Sequence, residues 1–418
     1  MGLKALAIST IQVYSVLMDL GEKLSILSAS AKYDASCSSS GSSSSGGVCH
    51  SWTEDGRCIT LLKVLFSNFC RFDCAYCVNR ASAESQRAAF TVDELVELTC
   101  QFYRRNYIEG LFLSSGVFAD PDIVMEKLIE CARKLRRQAG FGGYIHMKLI
   151  PGATEKMIRE AGLWADRLSA NIELPTDKSL QDLAPQKSGK KILGTMGEIF
   201  RAGAENEEDK RKFRQGGRNT VPAFAPAGQS TQLIVGASPE NDKTILNLTG
   251  ALYRKFELRR VYYSAYIPVG LPEITVSPRA LLLREHRLYQ ADWLLRFYRF
   301  SPEEVLEDDE DHLDMAIDPK TAWALRHLDF FPLEVNRAGY DELLRVPGIG
   351  AKAGRRIIEA RRRTTLNFDN LRRIGVVLKR ARHFISAAGS FLDRPDDPGR
   401  IRRLLSDKDS LQPLLFEF

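Results

Sequence analysis

Nowhere in its 418 residues does the chain carry an apolar run approaching the roughly 18 residues that a membrane-crossing helix needs, which argues against a helical membrane protein. Residues 1–17 are mildly apolar, with Lys4 the only charge, yet they lack both a basic leading segment and a small-residue cleavage site. The simpler expectation is an extended N-terminus, with Met18, which opens an amphipathic helical pattern, as a second candidate start. A disulfide framework is missing too. Eight cysteines in a chain this long, several at C-x-x-C-like spacing, point to metal ligation in a reducing compartment, and so to the cytoplasm. Net charge is only +6, so where the basic residues lie matters more than their total. What is present, 44% hydrophobic and 27% charged residues, is the composition of a globular protein with room for two or three domains.

The most informative stretch is Cys70-Arg71-Phe72-Asp73-Cys74-Ala75-Tyr76-Cys77, which follows the apolar run Ile59–Phe66, read as a buried strand. Three thiols on so short a loop can converge on one metal centre, and thiolates are soft ligands suited to iron–sulfur clusters or zinc. The loop supplies no fourth cysteine. Three thiolates on a four-iron cluster leave one iron open to a substrate or cofactor, whereas a zinc site needs a fourth ligand nearby.

This C-x3-C-x2-C spacing, with an aromatic residue before the third cysteine, closely resembles the cluster loop of radical S-adenosylmethionine (SAM) enzymes. The resemblance implies a [4Fe–4S] cluster on Cys70, Cys74 and Cys77 whose open iron chelates SAM. It also implies reductive cleavage of SAM to methionine and a 5′-deoxyadenosyl radical, with a reductant such as flavodoxin or ferredoxin.

Upstream, residues 18–33 have a helical pattern, and Ser38 to Gly47 is almost entirely Ser and Gly. Around that tract lie Cys37, Cys49, His50 and Cys58. They either close a second metal site or are reduced thiols packing near the first, and their spacing matches no zinc or ferredoxin pattern. Downstream the chain alternates helix and strand: a helix capped by Thr91, a strand at Gly110–Leu113, a helix near 122–138, and strands at Gly143–Leu149, Ala165–Ile172, Thr231–Val235 and Arg260–Tyr266. This predicts an α/β fold, a partial (β/α)6 TIM-like barrel, followed by a C-terminal α-helical module. Cys100 and Cys131 sit at apolar-face spacing in two of the helices and are expected in the core.

Functional groups of such barrels collect at the C-terminal strand ends. Here those ends offer Ser114-Ser115-Gly116, His146 and Lys148, Asn171 with Glu173, Gly236, and Tyr262-Tyr263. Their order resembles the family pattern. Ser114-Ser115-Gly116 looks like a variant, lacking the acid, of the Gly-Gly-Glu motif that contacts the SAM amino group. Ala170–Glu173 resembles the ribose-binding position, and Leu233–Gly236 the motif near the adenine, with Tyr76 beside it. The resemblance covers about residues 55–270. A Lys/Arg/Gly/Pro-rich stretch at about 185–230, interrupted by Glu205, Glu207, Glu208 and Asp209, is either a nucleic-acid track or a solvated helix.

Eight acids crowd Ser301–Asp314, read as a solvated connection. Beyond it comes Val346-Pro347-Gly348-Ile349-Gly350 between two helical segments, followed by Lys352, Arg355 and Arg356. Glycines there permit positive φ and uncover backbone amides, which with a helix N-terminus suit a phosphate. Residues 341–382 hold twelve Lys or Arg and four Asp or Glu, a net of +8, so the rest of the chain nets about −2. The turn strongly resembles the helix-hairpin-helix motif, which binds DNA backbones without reading sequence. Residues 367–377 look like a weaker second copy that either binds or only packs.

The domain division expected is a 1–54 extension, a 55–300 barrel, a 301–335 acidic connection, a 336–390 DNA-binding module and a 391–418 tail. The whole resembles a radical SAM family of putative DNA modification or repair proteins, which also implies a partner related to uracil-DNA glycosylases. The resemblance would assign SAM to Tyr76, Ser114, Ser115, Gly116, Asn171, Glu173 and Gly236, and phosphates to Gly348, Gly350, Lys352, Arg355 and Arg356. The rivals are the same chemistry on RNA, such as tRNA, and a non-catalytic DNA-binding protein with a structural cluster.

Overall fold

The computed structural model describes residues 18–32, 47–52, 58–215, 221–268, 277–393 and 397–406. Cys37 and the Ser/Gly tract up to residue 46 lie outside them. The chain divides into two compact units, residues 1–239 with 251–281, and residues 240–250 with 282–418.

The first unit is built on a seven-stranded sheet whose strands follow chain order: β1 (Val48–Trp52), β2 (Cys58–Leu65), β3 (Gly110–Ser114), β4 (Tyr144–Lys148), β5 (Arg167–Ser169), β6 (Gln229–Val235) and β7 (Arg260–Ala265). From β2 to β7 every neighbour is parallel, while β1 runs antiparallel along the edge of β2, Val48 opposite Leu62 and Trp52 opposite Cys58. The expected α/β half-barrel is what forms. Parallel strands are covered on both faces, so they read as unbroken apolar runs; all five residues of β3 are buried. Gly110 opens β3 because a Cβ there would lie 2.5 Å from the Tyr144 carbonyl oxygen of the next strand.

The connecting helices start where local chemistry dictates. Helix α1 (Leu20–Ala31) is capped by Asp19, and α2 (Val92–Arg104) opens on a reciprocal box in which the Thr91 hydroxyl accepts from Glu94 N and Glu94 accepts from Thr91 N. Lys23 of α1 is fully buried and reaches Glu94 at 2.7 Å. Helix α3 (Pro121–Arg137) is capped by Asp120 with proline in its first turn, and α4 (Glu155–Trp164) and α5 (Asp177–Leu183) follow. Cys100 and Cys131 are buried in α2 and α3, and burial pushes the Cys131 thiol far up. Much of the charged stretch expected at 185–230 folds as one 27-residue helix, α6 (Gly189–Gln215). Its charges pair locally: Lys210 with Glu207 and Lys212 with Glu208, both at 2.7 Å, and Glu205 with Arg159 at 2.6 Å.

Helices α7 (Asp242–Phe256) and α8 (Pro278–Phe297) lead into the second unit. There the acidic run is folded in by arginines: Arg326 bridges Glu307 and Glu310 at 2.9 and 3.0 Å, and Arg345 holds Glu304 at 2.7 Å. Helix α9 (Pro302–Val305) opens that run and α10 (Pro319–Arg326) follows it. Two helical hairpins follow. Helix α11 (Tyr340–Arg345) turns at Val346–Gly350 into α12 (Ala351–Ala360), and α13 (Phe368–Ile374) turns at Gly375–Val377 into α14 (Leu378–Ala381). The second turn backs the first: Val377 N donates to the Gly348 oxygen at 3.0 Å. A small sheet of β8 (Leu333–Glu334), β9 (Ile385–Ala387) and β10 (Ser390–Phe391), and helix α15 (Pro398–Leu405), complete the unit.

Candidate cluster and cofactor site

Leaving β2, the chain crosses to the β3 exit before it reaches the cysteines. Phe66 N donates to the Ser114 oxygen, and Gly116 N to the Ser67 oxygen, both at 2.7 Å. Gly116 is required by this crossing, since a Cβ would sit 2.3 Å from the Phe69 oxygen. Its amide is spent on Ser67, and the Ser115 hydroxyl donates to the Gly116 oxygen at 2.8 Å. Ser114 is buried as the last residue of β3. The Ser-Ser-Gly turn therefore shapes the floor under the cysteine loop.

The loop itself has almost no regular structure, so its backbone polar groups need other partners. Arg87 ties down the two flanks of the loop, its guanidinium donating to the carbonyl oxygens of Asn68, Asn79, Arg80 and Ala83 at 2.6 to 3.0 Å. Asn68, fully buried, donates to the Gln86 oxygen and accepts from Ala88 N, both at 2.8 Å. On the far side, Ala75 N donates to the Leu183 oxygen at 2.8 Å and Asp73 N to Gln186 Oε1 at 3.3 Å.

Cys70, Cys74 and Cys77 lie within electrostatic reach of one another. Phe72 N donates to Cys70 Sγ and Asn79 N to Cys77 Sγ, each at 3.4 Å. Burial pushes the Cys74 thiol up and the Cys77 thiol up to about 11; the Lys187 ammonium pulls both the other way, as does the Asn79 amide at Cys77. Among the described residues no three His, Cys, Asp or Glu side chains close on a single ion. A donor set of three soft thiols, with amides aimed at two sulfurs and an ammonium beside them, fits a thiolate-bound cluster.

Lys187 is the centre of the neighbouring polar group. Its Nζ donates to Glu173 Oε1 at 2.8 Å and to the Tyr76 hydroxyl at 3.2 Å, and stands 5.5 Å from the Tyr76 ring centroid. Burial works against its charge, but Glu173, Tyr76 and Cys74 outweigh burial and hold the ammonium well above the ordinary lysine range. Lys148, from the end of β4, approaches the same Glu173 oxygen at 3.9 Å. Burial also drives the Tyr76 hydroxyl well up. Glu173 has φ +66, a left-handed backbone rare outside glycine, held by Glu173 N to the Gln232 oxygen at 3.0 Å and Ile234 N to the Glu173 oxygen at 2.8 Å. Its neighbour Asn171 donates to Gln232 Oε1 at 3.2 Å. Gly236, just past β6, takes φ +85, where a Cβ would meet Leu281 at 2.4 Å.

The structure thus brings Tyr76 and Glu173 together and links Asn171 to the following strand. It adds Arg87, Lys187 and Gln186, which sequence reasoning did not single out for the site. Lys187 was visible only as one cation in a basic stretch. The N-terminal group is divided. His50 Nδ1 lies 3.6 Å from Cys58 Sγ, whereas Cys49, alternating to the other face of β1, is buried against Leu61 and Phe112. Among the described residues no helix is long and apolar enough to cross a membrane.

Residues 64–209, from within β2 through most of α6, match the family model described as Radical SAM superfamily. That segment is a radical SAM domain, an enzyme domain that uses a [4Fe–4S] cluster and S-adenosylmethionine. No curated protein matches the chain in sequence. Among solved structures it is similar to the FeFe-hydrogenase maturase HydG from Carboxydothermus hydrogenoformans, at 14% identity and a TM-score of 0.41, over 54% of this chain and 50% of that one. It is also similar to the radical S-adenosylmethionine methyltransferase TsrM from Kitasatospora setae, solved with cobalamin and a [4Fe–4S] cluster, at 12% identity and a TM-score of 0.32, over 49% of this chain and 35% of that one. The chain therefore spans half or less of these neighbours' lengths.

Proposed function

We propose that this protein is a radical SAM enzyme that modifies or repairs DNA. Cys70, Cys74 and Cys77 would hold the cluster, with Tyr76, Asn171, Glu173 and Gly236 around the SAM site. When bound and reduced, the cluster supplies the electron that cleaves SAM to methionine and a 5′-deoxyadenosyl radical. The chain's own residues fix the geometry: Arg87 sets the loop, and Lys187 orients Glu173 and Tyr76 through one ammonium.

The observation that carries the DNA part is the surface of the helical hairpins. Of twelve cations in residues 341–382, Arg345, Arg361 and Arg380 are used internally, on Glu304, on the Val335 oxygen and on Asp318. The other nine, including Lys352, Arg355 and Arg356, are exposed. They lie on the two hairpins, whose first turn holds Gly348 at φ +85, the setting expected of a helix-hairpin-helix grip on phosphates. The earlier resemblance to putative DNA modification or repair proteins supports the same substrate. A base inside a duplex would have to be extruded at a cost of a few kcal/mol, which favours damaged or unpaired targets.

The test is anaerobic reconstitution with iron and sulfide, followed by SAM and dithionite, measuring 5′-deoxyadenosine with duplex DNA, with tRNA and with neither. Product stimulated by DNA and abolished in Cys74→Ala is the expected result. Stimulation by tRNA alone would move the substrate to RNA, and no product from a cluster-loaded protein would leave a DNA binder with a structural cluster.

A further inference from the structure

Beside the Val346–Gly350 turn, within the second unit, lies an open cleft of about 490 Å³, inside the size range of small-ligand pockets. Its walls are mostly apolar: Trp293 and Leu294 from α8, Pro319 from α10, Ile349 from the turn and Val377 from the second turn. Two of these wall residues stay open to solvent, Trp293 at 49% and Val377 at 52%. Large apolar groups left this exposed beside cations call for an explanation.

The aromatic wall and the turn are wired together. The Trp293 indole and Ala351 N, the first amide of α12, both offset the upward push that burial gives the Tyr298 hydroxyl. Gly350 leaves room for that hydroxyl, which would stand 3.0 Å from a Cβ. Lys320 is buried, with Nζ donating to the Ile349 oxygen at 2.6 Å and lying 4.6 Å from the Tyr298 ring centroid. Arg380 and Asp318 also line the cleft, paired with each other at 3.0 Å. Phe297 packs 4.4 Å from the Trp293 ring, so the indole is propped in place and does not swing freely.

The indole of Trp293, the Gly348–Gly350 turn and a gap of pocket size suit a nucleotide, with stacking for the base and turn amides for its phosphate, while the lining cations are already engaged, Arg380 on Asp318 and Lys320 on the Ile349 oxygen. Paired bases are stacked on each other and cannot enter such a cleft. We propose that this cleft takes one unpaired nucleotide of a bound nucleic acid, its base on the face of Trp293 and its phosphate at the Gly348–Gly350 turn. The second unit would then favour gapped, bulged or single-stranded DNA over intact duplex. This inference rests on the nucleic-acid reading above and narrows its substrate.

Full-length protein is titrated into labelled matched duplex and into the same duplex carrying one bulged nucleotide, with anisotropy as the readout. The bulged duplex is expected to bind about tenfold more tightly, a preference that Trp293→Ala removes and Trp293→Phe largely keeps. Matched-duplex affinity should stay unchanged in Trp293→Ala, and Trp293→Phe, which keeps a ring against Phe297, controls for any fall in melting temperature. Equal binding of both DNAs by the wild type, or a preference that survives in Trp293→Ala, overturns the proposal while leaving duplex binding intact. Binding of neither DNA overturns it together with the DNA reading. Displacement of bulged DNA by free thymidine monophosphate at comparable concentration would make the cleft a small-molecule site and overturn it as well.

Discussion

The cysteine loop and the Val346–Gly350 turn are both short irregular segments offered to a ligand, and they are held in opposite ways. The loop is held from outside by side chains, Arg87 on four carbonyls and Asn68 on two backbone groups. Its own side chains, the three thiols, are left to do the binding. The turn is held by backbone on backbone, the Gly348 oxygen against Val377 N, with Lys320 beneath it. There Val346 and Ile349 turn inward and are buried, and the two glycines carry no side chain.

Three substitutions can break this contrast. Arg87→Ala should have the largest effect, stripping four carbonyls of a charged donor; a loss of roughly 3–5 kcal/mol in stability and at least about tenfold in cluster affinity is expected. Chemical denaturation and iron content after reconstitution measure both, and a normal iron content would show that the loop holds itself. Gly348→Ala should follow, because it combines φ +85 with a Cβ 2.6 Å from the Val377 oxygen; about 2–4 kcal/mol is expected. Gly350→Ala, with φ −99 and only the Tyr298 hydroxyl to displace, should cost clearly less. Equal losses at the two glycines would mean that packing against the second turn is not what sets the first.

The smallest effect is one of pH. Burial pulls the Lys320 ammonium down to about 7. Its folded value lies below its ordinary unfolded value near 10.5, so between the two the unfolded chain binds more protons and stability rises with pH. The contribution is a cost, present in full below about 7 and relieved as pH climbs toward 10.5. Within that window wild type should gain about 1 kcal/mol per pH unit relative to Lys320→Met. Parallel stability profiles for the two proteins would show that the lysine is not titrating there.

Much of the barrel was legible because its signals are local. Strands β2 and β3 carry apolar runs, and Thr91 announces the helix that follows it. Thiol spacing marked the cluster loop for the same reason. The supporting residues were not legible. Lys187 reaches Glu173 fourteen residues away and Tyr76 a hundred and eleven residues away, and nothing in a run of lysines says which one folds inward. Arg87 looks like any surface arginine until the loop wraps round it. Strands β8 and β10, two residues each, are too short to show a period, and the acidic run 301–314 hid its arginine partners at Arg326 and Arg345.

One contact of the cysteine loop also orders events during synthesis. Ala75 N and Asp73 N are anchored by Leu183 and Gln186, more than a hundred residues downstream. A nascent chain that has just exposed its three thiols has neither anchor, because three strands and their helices must still be made before residue 186, and such long-range contacts form late. The thiols are therefore the first part of the site to be translated and among the last to be positioned. In the interval they are reduced thiols on an unanchored loop, open to oxidation, until Leu183 and Gln186 arrive to fix it.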